Sequence, residues 1–278
     1  MDSSARETTA TGLKWFGWTD RGKVRPNNED SFLALRFDAQ ETDRLGKYGE
    51  APIAPTDFAF AVCDGMGGAK AGEFASRIAV EKITTLLPRS FKQSARGLSA
   101  GCSDVLTELF GQIHRALAFV GSSYDECRGM ETTLTLCWFS PTWMYFGHIG
   151  DSRLYYLPAG GGLKQLSHDD TYVGWMFRNG QLNEREARTH PRRNVLQKSL
   201  GGSNQFVEPQ VGAVGYEPGD RFLLCSDGLT DGLYNRTLED LLRSPGNSPL
   251  TNPAQRLVTE SLAASGRDNT TALVIQVV

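Results

Sequence analysis

The chain has 278 residues, a formal net charge of −3, 40% hydrophobic residues and 22% charged residues. This composition is typical of a globular protein and excludes disordered and collagen-like chains. The acidic balance argues against a protein that coats nucleic acid, which is usually basic. Apolar stretches are too short for a membrane helix, and no secretory signal is visible. The five cysteines lack C-x-x-C spacing, which predicts reduced thiols in a cytoplasmic protein.

Short apolar runs separated by turns predict a protein rich in β-strands. Residues 1–12 are polar and are expected to form a flexible tail, and residues 13–278 are expected to form one domain. Residues 38–57 lack periodicity, which predicts a surface loop, and the polar, basic residues 168–205 are expected to form a mobile helical flap. The predicted strands are Leu13–Trp18, Phe32–Phe37, Phe58–Cys63, Thr132–Phe139, Met144–Ile149, Leu154–Leu157, Phe222–Cys225 and Thr270–Val278.

Helical periodicity is found in three segments. Residues 70–87 are predicted to form a helix that Pro88 ends, and residues 101–120 and 252–264 show similar spacing. Two successive helices between hairpin-linked strands do not fit a regular βαβ alternation. They favour an α+β fold in which helices are laid on antiparallel sheets.

Aspartates stand at the ends of predicted strands in four places. Each one alone is most simply a turn-forming residue, but four at the ends of one sheet system are expected to converge. Converging carboxylates repel one another, and a bound cation is the usual remedy. Oxygen ligands favour magnesium or manganese, and a pair of such ions acidifies a water held between them. These residues, Asp64, Asp151, Asp227 and Asp268, therefore predict machinery for hydrolysing a phosphoester.

Two neighbouring features fit this chemistry. The glycines in residues 65–68 allow the backbone to approach a metal or a phosphate, and a helix is predicted to begin near Ala69 with its positive end at the site. An alternative is a nucleotide-binding P-loop, but the chain continues with Glu73-Phe74 where a P-loop has lysine and a hydroxyl residue. Arg25 lies in a polar loop; its guanidinium could grip two phosphate oxygens, or it could be an ordinary solvated surface residue.

The ordered motifs resemble those of the type 2C protein phosphatases, the metal-dependent serine/threonine phosphatases, of the bacterial kind. The resemblance runs from about Leu13 to Val278. The motifs are Arg25…Asn28-Glu29-Asp30, Asp64-Gly65-Met66-Gly67-Gly68, Gly129-Met130-Glu131-Thr132-Thr133, Gly150-Asp151-Ser152-Arg153, Ser167-His168-Asp169, Asn194-Val195-Leu196, Ser226-Asp227-Gly228 and Asp268-Asn269-Thr270-Thr271.

The resemblance implies a four-layer α-β-β-α sandwich, two packed antiparallel sheets with helices on both outer faces. It also implies an enzyme that hydrolyses phosphoserine and phosphothreonine with a water or hydroxide bridging two Mn²⁺ or Mg²⁺ ions, and a weaker third ion. The implied roles are metal bridging by Asp64, a carbonyl ligand at Gly65, metal ligands at Asp227 and Asp268, a third-metal ligand at Asp151, contacts through water at Glu29 and Asp30, and phosphate binding by Arg25.

The sequence departs from the family pattern at several positions. Met66 stands where animal relatives have a histidine proposed as the general acid, so the proton donor is left open. Glu131 replaces a small residue, Asp170 stands where relatives often have histidine, and Gln197-Lys198 replaces Thr-Arg. The last three departures are expected to change local packing or flap contacts.

We also expect a monomer that acts on phosphorylated proteins, with no nucleic acid and no membrane as partner. The resemblance implies a cognate serine/threonine kinase as a natural partner. Two other hypotheses remain. The chain could be a catalytically silent binding module, although no carboxylate of the metal set is missing. It could also act on another phosphoester, such as a nucleotide or a nucleic acid.

Overall fold

The computed structural model describes residues 12–68, 70–95, 101–202, 207–244 and 252–278. The strands are β1 (Gly12–Asp20), β2 (Asp30–Phe37), β3 (Thr42–Arg44), β4 (Tyr48–Pro52), β5 (Asp57–Met66), β6 (Glu131–Thr132), β7 (Leu134–Phe139), β8 (Trp143–Ile149), β9 (Arg153–Leu157), β10 (Lys164–Gln165), β11 (Leu200–Gly201), β12 (Gln210–Gly215), β13 (Arg221–Cys225) and β14 (Thr270–Val277). The helices are α1 (Ala71–Ala95), α2 (Cys102–Ser123), α3 (Tyr172–Arg178), α4 (Glu184–Thr189), α5 (Asp227–Gly232), α6 (Asn235–Arg243) and α7 (Pro253–Ala264).

The strands form two antiparallel sheets. One sheet has the order β10-β9-β13-β14-β1-β4. The other has the order β11-β6-β5-β7-β8-β12, with β2 paired to β5 and β3 paired to β2. Strands β5 and β14 therefore lie inside their sheets. Both strands have an end at the side of the sandwich where the predicted aspartates lie.

Strand β5 shows why the two sheets pack as they do. Phe58 and Phe60 face the other sheet and join the core between the sheets. Ala59 and Ala61 face the opposite way, into the core beneath α1 and α2. Since successive side chains of a strand point to opposite faces, a fully apolar strand is covered on both sides. The large residues fill the space between the sheets, and the small ones admit the helices.

The helices cover both outer faces. Helices α1 and α2 pack on the sheet that contains β5, and α5, α6 and α7 pack on the sheet that contains β14 through a third apolar cluster. The expected α-β-β-α sandwich is therefore confirmed. No helix in the described ranges is long and apolar enough to cross a membrane.

Two local predictions were wrong. The expected loop at residues 38–57 contains β3 and β4, short edge strands whose charged residues and Gly and Pro conceal a strand pattern. Pro88 does not end α1, which continues to Ala95. Leu87 is fully buried, and the ring centroids of Phe91 and Phe37 lie 5.5 Å apart. The packing of α1 therefore outweighs the proline penalty of about 3 kcal/mol.

Several predictions fall partly on residues outside the described ranges. These are the tail, of which only Gly12 is described and begins β1, the helix start near Ala69, and the last three residues of the segment 168–205. Within that segment, α3 and α4 agree with the helical character expected of the flap. Residues 168–202 are called the flap below.

Asp57 gives the fold a predictable pH dependence. Its carboxylate is buried and accepts a 2.7 Å hydrogen bond from Trp138 Nε1. Burial raises the pKa of Asp57 to about 6, against the opposing effect of that hydrogen bond. The folded state thus binds the Asp57 proton more tightly than the unfolded state, so this group favours folding most at low pH, and its contribution falls as the pH rises from about 4 to about 6.

Asp57→Asn is therefore expected to flatten the decline of unfolding free energy over this pH range. Urea unfolding at several pH values measures the difference from the wild type. Asp43→Asn, at an exposed residue paired with Arg36, is the control. An equal slope in the wild type and in Asp57→Asn would contradict the assignment.

Candidate active site

A cleft of about 340 Å³ lies at one edge of the sandwich. It is formed by the ends of β5 and β13 and by the segments that precede β2 and β14. Its lining includes most of the predicted site residues: Arg25, Glu29, Asp64, Gly65, Asp151, Asp227 and Asp268. Asp30 is the exception, because it lies buried beneath the cleft. The structure thus brings together carboxylates that are far apart in the sequence.

Asp64 is held by its backbone, which leaves its side chain available. Its N–H donates to Thr133 Oγ1 at 2.9 Å, and its carbonyl accepts from Thr132 Oγ1 and from the Thr133 N–H, both at 2.9 Å. Thr132 and Thr133 therefore have a structural role, since they fix the backbone of Asp64. Burial raises the pKa of the Asp64 carboxyl well above its usual value, and the charges of Asp30 and Asp227 raise it further.

Asp30 joins the two sheets below the cleft. It lies opposite Asp64 in the β2–β5 register. Its Oδ2 accepts hydrogen bonds from Ser226 Oγ at 2.7 Å and from Thr271 Oγ1 at 2.6 Å, whereas its Oδ1 is buried without a partner. Burial raises the pKa of Asp30 to about 6, although both hydroxyl bonds favour the charged form.

Asp227 follows β13 and begins α5. Its Oδ1 is buried and has no hydrogen-bond partner. Burial raises the pKa of Asp227 well above its usual value, and the next largest causes are the charges of Asp151 and Asp268. A buried carboxylate oxygen with no donor is costly, so this side chain is poised for a cation or a proton.

Asp151 lies at the flap side of the cleft. Burial raises its pKa to about 7, and the charge of Asp169 adds to the effect while Arg153 opposes it. Arg153 itself is occupied by Asp169, which it contacts at 2.6 Å through Nη2. Arg153 therefore does not neutralise Asp151 by a direct ion pair.

The cation at the cleft mouth is Arg25. Its Nη2 contacts Asp268 Oδ2 at 2.7 Å, and its side chain is 50% exposed. Burial raises the pKa of the neighbouring Glu29, although the charge of Arg25 opposes this shift. Arg25 therefore keeps a solvent-facing side of its guanidinium near several carboxylates.

The donor set fits hard divalent cations, although it is not a closed cage. Among the described residues, no three His, Cys, Asp or Glu side chains are arranged so that they could hold a metal ion by themselves. Asp30 Oδ1 and Asp227 Oδ1 nevertheless accept no hydrogen bond from any described residue, so both oxygens remain available to a cation. Ions that keep several waters and bind a few carboxylates, as Mg²⁺ does, suit such a site.

The glycines near Asp64 allow a close backbone approach. A Cβ at Gly65 would collide with the Gly72 carbonyl oxygen, and one at Gly72 would collide with Glu29 Oε2. Because glycine has no side chain at either position, the start of α1 can lie directly against the cleft.

Some residues of the cleft were not predicted as site residues. Asn269 accepts a 2.8 Å hydrogen bond from the Glu29 N–H and donates to the carbonyls of Arg21 and Asn27, which fixes the β1–β2 loop. Asn194 and Leu196 of the flap also line the cleft. All three residues lie within the motifs that resemble the family, and their place in those motifs was the only sequence signal for a role in the site.

The departures from the family pattern have local consequences. Met66 lines the cleft and carries no transferable proton. Glu131 accepts a 2.6 Å hydrogen bond from Ser199 Oγ, and Asp170 accepts one from the Gly150 N–H at 3.0 Å. Glu131 therefore contacts the flap, since Ser199 lies near its end.

Residues 51–266 match the family model described as protein phosphatase 2C. The chain belongs to the protein phosphatase 2C family. The serine/threonine phosphatase stp of Listeria welshimeri is 31% identical over 93% of each chain. Protein phosphatase PhpP of Streptococcus pneumoniae is 30% identical over 92% of this chain and 94% of that protein.

The serine/threonine protein phosphatase PstP of Mycobacterium tuberculosis is 32% identical over 96% of this chain, which spans 45% of the length of that protein. Its crystal structure matches this phosphatase 2C fold with a TM-score of 0.76 at 30% identity, covering 96% of this chain and 99% of the solved chain. The structure of the PstP catalytic domain in complex with two manganese ions gives a TM-score of 0.74 with the same identity and coverage.

The uncompensated charge in the cleft predicts an unusual stability effect. In a metal-free sample near neutral pH, Asp227→Asn is expected to raise the unfolding free energy by about 1–3 kcal/mol, because it removes a buried charge without a partner. Urea unfolding with a chelator present measures the change. Manganese is expected to stabilise the wild type more than this variant.

Asp220→Asn is the matched control for this substitution. Asp220 is buried, but its carboxylate accepts hydrogen bonds from Tyr156 Oη at 2.7 Å and from the Ala159 and Glu217 N–H groups at 2.9 Å. An amide cannot accept all three bonds, so this variant is expected to lose stability. Destabilisation by both variants would contradict the assignment of Asp227.

Proposed function

We propose that this chain is a metal-dependent phosphatase that removes phosphate from phosphoserine and phosphothreonine in proteins. The observation that carries the proposal is the convergence of Asp64, Asp227 and Asp268 on one cleft with an arginine at its mouth. Family membership and the names of the relatives support it.

The proposed metal site is divided between the two sheets. Asp64 with the Gly65 carbonyl and Asp227 with Asp268 would hold two Mn²⁺ or Mg²⁺ ions, and Asp151 would help to hold a weaker third. When bound, such ions acidify a water held between them and stabilise charge on the phosphoryl oxygens. The manganese complex of the PstP catalytic domain supports two ions in a relative.

The residues around the ions have separate roles in this proposal. Glu29 and Asp30 act through water, and Ser226 and Thr271 hold Asp30 in place. Arg25 binds the substrate phosphate through the N–H groups that it does not use on Asp268. Since Met66 cannot donate a proton, the leaving oxygen takes its proton from water in the cleft.

The remaining features of the proposal concern the whole protein. Residues 13–278 act as one catalytic domain and as a monomer, on proteins phosphorylated by a serine/threonine kinase. All five cysteines are free and most are buried, which supports a reducing compartment and hence the cytoplasm.

Asp64→Asn tests the metal role of the central carboxylate. The rate of hydrolysis of p-nitrophenyl phosphate and of a phosphothreonine peptide with manganese is expected to fall at least ~10²-fold, because both ions lose a shared ligand. Asp43→Asn, at an exposed ion pair, is expected to behave as the wild type. Wild-type activity in Asp64→Asn, or activity that survives chelation, would refute the proposal.

Arg25→Ala and Arg25→Lys test phosphate binding. We expect Arg25→Ala to raise KM for both substrates by about tenfold or more, and lysine to restore only part of the loss because it lacks the planar fork. Steady-state kinetics separates KM from kcat. Equal KM values in all three proteins would remove Arg25 from the phosphate site.

A further inference from the structure

Helix α3 of the flap exposes two aromatic side chains. Tyr172 is 45% and Trp175 is 44% exposed, and their rings stack with centroids 5.9 Å apart and an angle of 15° between planes. The opposite face of α3 anchors the helix, since Val173 and Gly174 are buried. The aromatic pair, Tyr172 and Trp175, is therefore not needed to hold α3 in place. Exposed aromatic surface of this kind marks sites of interaction.

The helix that carries the aromatic pair is connected to the wall of the catalytic cleft through its N-cap. Thr171 caps α3 by accepting a 2.8 Å hydrogen bond from the Gly174 N–H, and it forms a β-bridge with Leu196. Leu196 lines the cleft. A chain whose phosphorylated residue enters the cleft thus meets the flap on one side.

The flap also carries positive charge that is not neutralised. Arg185 and Arg192 are exposed and have no carboxylate partner among the described residues, and Arg178 donates only to the Asp169 carbonyl, at 2.9 Å. By contrast, Arg193 is paired with Asp231 at 2.8 Å. The three arginines 178, 185 and 192 favour a negatively charged occupant.

We propose that the flap docks the substrate polypeptide, with an apolar side chain of that polypeptide packed on the aromatic pair. Acidic or phosphorylated residues of the same substrate lie towards Arg178, Arg185 and Arg192. This inference rests on the proposed phosphatase function, because the phosphorylated residue must occupy the cleft. Two flaps of separate copies would bring like charges together, so the charge favours a phosphoprotein over a second copy of this chain.

The test compares the wild type with a variant that carries both Tyr172→Ala and Trp175→Ala. The substrates are p-nitrophenyl phosphate, phosphothreonine peptides with leucine at successive positions around the phosphothreonine, and a matched peptide with serine instead. KM for the best leucine peptide is expected to rise about tenfold, which corresponds to about 1.4 kcal/mol of lost binding. Hydrolysis of p-nitrophenyl phosphate and of the serine peptide is expected to change less than about twofold.

Phe119→Ala is the matched control, because Phe119 is 69% exposed on α2, outside the flap. This variant is expected to have the wild-type KM for every substrate. A second variant, with Arg185→Gln and Arg192→Gln, is expected to weaken the salt dependence of KM for peptides with acidic residues. Equal KM values for leucine and serine peptides in the wild type would overturn the docking proposal.

Binding measured without metal separates this inference from the proposed function. Fluorescence anisotropy with a labelled leucine phosphopeptide and a chelator gives Kd, which is expected to rise about tenfold in the double alanine variant. An active wild type with no such difference would overturn docking alone, and an inactive wild type with the difference would overturn the phosphatase proposal alone. Sedimentation that changes from dimer to monomer in the variant would assign the aromatic pair to self-association instead.

Discussion

Repulsion among buried carboxylates is the constraint on which this structure depends. Asp64, Asp151 and Asp227 lie close together and are partly buried, and the charges of Asp151 and Asp227 both raise the pKa of Asp64. Among the residues that the structure describes, Arg25 forms an ion pair with Asp268 alone, so one arginine faces several carboxylates. The remaining structure keeps these side chains together: hydroxyls on Asp30, threonines on the Asp64 backbone, and two packed sheets beneath.

This arrangement separates what stabilises the fold from what is proposed to perform catalysis. The apolar clusters between and outside the sheets stabilise the protein without any ion. The charges in the cleft instead lower the stability of the fold until a cation binds. A well-packed sandwich can tolerate that cost, which is the usual relation between a stable scaffold and a strained functional site.

The sequence allowed much of this to be predicted, and the errors have physical causes. Apolar strands that end in aspartate, such as β5 with Asp64, gave both the sheet and the site residues. Edge strands β3 and β4 could not be recognised, because both are short and polar. Strand β3 forms a hairpin with β2, and only β4 depends on pairing with a distant strand, β1. Pro88 was misinterpreted because the packing of Leu87 and Phe91 is a tertiary effect. The exposed aromatic pair of α3 carries no local signal, since burial depends on the whole fold.

The hydrogen bonds of Asp30 connect the two sheets directly. Asp30 belongs to β2 in one sheet, while Ser226 and Thr271 belong to the end of β13 and to β14 in the other. The proposed ion ligands are divided between the sheets in the same way. The proposed reaction centre therefore lies at the junction of the two sheets, and its geometry changes if one sheet slides over the other. A mutation deep in the interlayer core could then disable turnover without touching the cleft, by changing the spacing across that junction.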